Sequence, residues 1–61
     1  MNLCNLRKKK NLTMREVGMM ANISESMYSL IENGKRRPSV DVAKRIASVL
    51  NFDWTLFFEK K

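Results

Sequence analysis

No histidine occurs in the 61 residues and Cys4 is the single cysteine. Imidazole and thiolate ligands at metal-site spacing are therefore missing, as is any Ser/His or Cys/His pair for nucleophilic catalysis. Gly18 and Gly34 are the only glycines, and neither belongs to a glycine-rich phosphate loop following a strand. Catalysis, a metal, a cofactor and a small-molecule substrate are accordingly not expected. The side chains able to do chemistry are cationic. Twelve Lys and Arg against six Asp and Glu give a formal charge of +6, a field that attracts polyanions and speeds their encounter. Seven of the twelve bases fall in two acid-free runs, Arg7-Lys8-Lys9-Lys10 and Lys35-Arg36-Arg37. They form two separate patches rather than one basic tail, and sign alone does not choose among DNA, RNA and anionic lipid.

The elements that must position these charges are short helices. Sixty-one residues suffice for one hydrophobic core only, so residues 1–61 read as a single domain. No apolar run approaches the roughly 18 residues of a membrane span, and the first ten residues lack the apolar centre of a secretory signal. With one unpaired cysteine, this points to a soluble, unexported protein in a reducing cytoplasm. Leu3 and Leu6 form an i, i+3 pair that predicts an amphipathic helix over residues 2–10, with Asn11 as its stop. Thr13-Met14-Arg15-Glu16 has the form of a capping box and opens a second helix that carries Val17, Met20 and Ala21 inward and ends near Asn22. Ser24 caps a third helix, turned inward through Tyr28 and Ile31 and ended at Asn33-Gly34. Beyond Pro38, Ser39 and Asp41 start a fourth helix with the apolar stripe Val42, Ala43, Ile46, Ala47, Val49 and Leu50. Asp53 caps a short fifth helix holding Trp54, Leu56, Phe57 and Phe58. The expected class is all-α, five helices with no strand.

The connection Ala21-Asn22-Ile23-Ser24 has the length of a DNA-reading helix-turn-helix. Three runs extend the likeness: Leu12-Thr13-Met14-Arg15-Glu16-Val17-Gly18, then Ile23-Ser24, then Ile31-Glu32-Asn33-Gly34-Lys35-Arg36-Arg37-Pro38-Ser39. Together they resemble the phage repressor and Cro-type helix-turn-helix family, from about Leu6 to Phe58. The resemblance implies a compact lambda repressor-like bundle with its motif at about residues 13–33. It implies phosphate contacts from Ser24 and the amides at the start of the third helix, from Thr13 and Met14 at the start of the second, and from Asn33, Lys35, Arg36 and Arg37. Base reading falls to Glu25, Ser26, Met27 and Leu30, the outward positions of the third helix. Here the chain departs from the family, which favours glutamine, arginine, lysine and asparagine for paired hydrogen bonds to purines. Ser26 can donate or accept, Glu25 can accept from a cytosine amino group, and Met27 or Leu30 can only pack on a thymine methyl.

Arg7 and Glu32 match family positions that often form an ion pair between the first helix and the end of the recognition helix. A second departure is Gly18, where alanine is usual; it reads as tolerated packing. Four of the five aromatics, Phe52, Trp54, Phe57 and Phe58, lie in the last ten residues, with Trp54 and Phe57 expected in the core. The resemblance places dimer contacts at the corner Asn51, Phe52 and Asp53, supported by an exposed Phe58. The expected activity is sequence-specific double-stranded DNA binding as a homodimer on two half-sites. It suits a small transcriptional regulator of repressor type without a sensory domain, in the cytoplasm of a bacterial or phage-infected cell. The competing reading is a protein-interaction module, antitoxin-like or partner-docking, that uses the same fold and docks a regulatory protein on Met19, Met20, Met27 and Leu30. Membrane attachment is not expected, because the bases sit at helix ends and turns rather than along one helix face.

Overall fold

The computed structural model describes residues 2–58. It contains α1 (Leu3–Lys9), α2 (Met14–Met20), α3 (Glu25–Glu32) and α4 (Val40–Leu50), then a 3-10 segment at Trp54–Phe58, with no strand among the described residues. The all-α class holds and the count of five helices is corrected: the last element is a 3-10 turn. Asp53 explains the tighter winding, because its carboxylate accepts from both the amide and the hydroxyl of Thr55, at 3.0 and 2.8 Å. Its carbonyl meanwhile accepts from the Leu56 amide, which closes the chain on an i to i+3 bond.

Helices of 7 to 11 residues are too short to persist alone, so their ends carry much of the specification. At each amino end a side chain accepts from the amide three residues on: Asn2 from Asn5, Thr13 from Glu16, Ser24 from Met27 and Ser39 from Val42. At each carboxyl end one residue turns left-handed, with φ of 58° at Asn11, 60° at Asn22, 74° at Gly34 and 61° at Asn51. The next amide then reaches back to satisfy a carbonyl of the last turn, Leu12 to Arg7, Ile23 to Gly18, Lys35 to Leu30 and Phe52 to Ala47. Asparagine tolerates this conformation because its short polar side chain hydrogen-bonds locally.

Leu3, Val17, Ala21, Tyr28, Ile31, Ala43, Ile46, Ala47 and Leu50 are buried, and Leu6, Leu12, Met14, Ile23, Met27, Val42, Val49, Phe52 and Phe57 pack around that centre. Met20, expected inside, is 60% exposed. At about 100° per residue, Ala21 and Gly18 lie on the same side of Val17, and the inward face of α2 follows them while Met20 falls on the opposite flank. Gly18 owes its burial to the turn. A Cβ built there would lie 3.1 Å from the Ile23 carbonyl oxygen and 3.3 Å from that of Ser24, so the missing side chain is what lets the turn press onto α2. A Gly18→Val substitution sets a branched side chain against the Ile23 and Ser24 carbonyls, and urea denaturation should show a loss of about 1–3 kcal/mol, the usual cost of overpacking.

Candidate nucleic-acid interface

The face of α3 is set by which of its residues the core claims. Tyr28 and Ile31 are buried, Glu25 and Ser26 are exposed, and Leu30 remains 41% exposed despite being apolar. Met27, expected outward with them, is half-buried against the core. It lies one helical turn before Ile31 and shares that residue's inward side, lining a depression with Arg36, Arg37, Pro38, Ser39 and Val42. The outward face is thus narrower than its sequence suggests. Glu25, Ser26, Ser29 and Leu30 form it, joined by Met14 from the start of α2 in one shallow surface depression.

The residues expected at phosphates lie at the amino ends of α2 and α3 and in the loop after α3. Ser24 is exposed with its hydroxyl accepting from the Met27 amide at 3.0 Å. Thr13 is committed to the capping box: its hydroxyl accepts from the Glu16 amide at 3.0 Å and its own amide donates to the Glu16 carboxylate at 2.8 Å. That amide is therefore already engaged, and the side chain of Met14 beside it is half-buried. Asn33, Lys35, Arg36 and Arg37 are all exposed in the loop after α3. The Asn33 amide leans back toward the Ser29 hydroxyl at 3.4 Å, and the Arg37 guanidinium sits 5.1 Å from the centre of the Phe58 ring, within cation–π range. Arg36 and Arg37 share a depression with Met27 and Ile31 on the inward side of α3, and the Lys35 and Arg36 amides donate to the Leu30 carbonyl at the end of that helix.

The other basic run divides. Lys8, Lys9 and Lys10 are exposed, whereas Arg7 turns inward and meets Glu32 through two hydrogen bonds, Nε to Oε1 at 2.9 Å and Nη2 to Oε2 at 3.2 Å. Their side chains are only 12% and 9% exposed. Arg7 Nη1 also donates to the Leu12 carbonyl at 3.0 Å, Nη2 lies 3.5 Å from Cys4 Sγ, and the Tyr28 hydroxyl donates to Glu32 Oε1 at 2.9 Å. The bond from Arg7 holds the Glu32 carboxyl below its ordinary pKa against the opposing effect of burial, and the same bond raises that of Arg7. Burial first, then the bond to Glu32, pushes the Tyr28 phenol up. Sequence reasoning missed Tyr28 as a member of this network, although its i, i+4 spacing to Glu32 was a usable signal.

At the far end, Phe52 and Phe57 pack together at 5.5 Å between ring centres and Trp54 meets Phe58 edge-on at 6.0 Å. Phe57 joins the core as expected, but Trp54 does not; it is half-buried beneath Lys44, whose Nζ is 5.2 Å from the ring centre. The 3-10 winding turns Trp54 toward the exposed flank of α4. Asn51 and Asp53 are exposed, while Phe52 and Phe58 are half-buried. Hydrogen bonds from Thr55 hold the Asp53 carboxyl below its usual range.

The helix-turn-helix family profile matches residues 5–57. A relative, the uncharacterized HTH-type transcriptional regulator YqaF of Bacillus subtilis (strain 168), is 51% identical over 53 residues, spanning 87% of this chain and 70% of the relative. No solved structure matches. Among the described residues no helix is long and apolar enough to cross a membrane, and no cluster of three or more His, Cys, Asp or Glu could hold a metal ion.

Replacing Arg7 with Ala strands the Glu32 carboxylate and frees the Leu12 carbonyl; chemical denaturation at neutral pH should show a loss of about 3–5 kcal/mol, the cost of breaking rather than replacing a buried pair. Acid should act through Glu32 as well. Its carboxyl is depressed in the folded state, so the unfolded chain takes up the proton first, and the stabilisation present above about pH 4.3 is lost as pH falls through the folded value. Denaturation midpoints measured between pH 6 and pH 3 should fall less steeply for Glu32→Gln than for the parent.

Proposed function

We propose, for a chain that belongs to the Cro/C1-type helix-turn-helix family, that it binds double-stranded DNA and regulates transcription by inserting α3 into the major groove, amino end first. The observation that carries this reading is the exposed cationic loop Lys35, Arg36 and Arg37 folded back on the last turn of α3, where the Lys35 and Arg36 amides donate to the carbonyl of the outward residue Leu30. In it, those three with Asn33 and Ser24 hold the flanking phosphates, and Met14 offers the second helix to the same backbone; such contacts orient the domain but carry no sequence information. Glu25, Ser26 and Leu30 face the bases. The Arg7–Glu32 pair sets the angle at which α3 is presented, since it ties the end of that helix to α1.

A single α3 spans one half-site, so the working form is a homodimer joined near Asn51, Phe52, Asp53 and Phe58, with half-sites one helical turn apart. Occupancy of such a site in the cytoplasm represses by excluding the transcription machinery. A second reading, docking of a regulatory protein, draws on Met19 and Met20, which are 68% and 60% exposed at the end of α2.

Titrating a fluorescent random duplex at rising salt tests the main reading: log affinity should fall linearly with log salt, by roughly 0.9 for every phosphate neutralised. The triple change of Lys35, Arg36 and Arg37 to Ala should weaken binding to all duplexes alike and flatten that slope. A salt-independent response removes DNA as the partner and leaves the docking reading.

A further inference from the structure

We infer that this domain selects A·T pairs by their thymine methyl groups, with Leu30 and Met14 as the contacting side chains; the inference rests on the DNA-binding reading above. The depression between α2 and α3 is lined by Met14, Glu25, Ser26, Ser29 and Leu30. It contains no arginine, lysine, asparagine or glutamine, the side chains that bond bidentately to a purine edge. Its chemistry is instead two apolar tips, two short hydroxyls and one carboxylate. A carboxylate only accepts, so Glu25 is repelled by guanine, whose major-groove edge shows two acceptors, and bonds only to the amino group of adenine or cytosine.

An A·T pair is the one natural pair that shows an amino group and a methyl in the same groove. That combination complements this depression. Leu30 stands 41% exposed, while Met14 is held from behind by the core and its unbranched thioether adapts to a small apolar partner. Met27, the other apolar side chain expected outward on this helix, is half-buried against the core, which leaves Leu30 and Met14 as the apolar side chains of the depression.

The test uses the duplex that the full chain selects from a random pool, made again with deoxyuridine in place of each thymidine. This removes the methyls and keeps every phosphate and hydrogen-bonding group. Affinity should fall about fourfold per contacted methyl, the effect of one buried methyl-sized group. Leu30→Ala, an exposed position, should bind the two duplexes more nearly alike while keeping the parent's salt slope. Met14→Ala, with its folded fraction checked by circular dichroism, should do the same. Equal, salt-sensitive binding of thymine and uracil duplexes by the parent overturns the methyl inference and leaves DNA binding intact. Binding to neither at any salt overturns the DNA-binding reading itself.

Discussion

The Arg7–Glu32 pair is the constraint on which the presentation of α3 depends. Two parallel hydrogen bonds fix the guanidinium against the carboxylate in a plane, a geometry that lysine could not reproduce. The third donor direction closes on the Leu12 carbonyl, which belongs to the α1–α2 connection, and the carboxylate takes its remaining bond from Tyr28, the one aromatic of α3 and fully buried. Two segments, residues 7–12 and 28–32, therefore share one charge centre. Neither partner can relax toward water without stranding the other, so breaking the pair is costly.

Against that centre the small size of the helices becomes intelligible. A 7-residue helix offers too few internal hydrogen bonds to offset its own ordering, and here each is closed at both ends by an accepting side chain and a left-handed residue. The same closures make the turns tight. Gly18 completes the arrangement, because the turn into α3 rests on backbone with no side chain between. The relation between α2 and α3 thus rests on this close backbone approach together with the core side chains Val17, Ala21, Tyr28 and Ile31.

Charge and shape are divided across the proposed interface. Exposed cations occupy the loop after α3, while the helix face itself carries neutral and acidic groups. An interface built this way gains most of its affinity from the flanks and leaves discrimination to shape and to one acceptor. Arg37 adds a link between that loop and the aromatic end, since its guanidinium rests on Phe58. A dimer formed at that end would act on a phosphate-seeking side chain as well as on spacing.

Residues 12–39 were legible because their signals are local. Thr13 and Glu16 sit three apart, Ser24 precedes its helix and Gly34 follows it, and a cap needs only its own few residues to form. Helix starts, stops and the all-α class follow from such short-range rules, as do the two basic runs. Side-chain orientation is different. Whether Met20 or Met27 faces the core, whether Arg7 is a surface base or a buried partner, and whether Trp54 joins Phe57 inside depend on what the neighbouring helix offers at that point. An apolar residue on the edge of a stripe has no preference that its own chain segment can express. The order of capped helices and the charge they carry were thus determined by sequence alone. The width of the α3 face and the residues left on it were decided only by packing, because burial is a property of pairs of surfaces and not of either one.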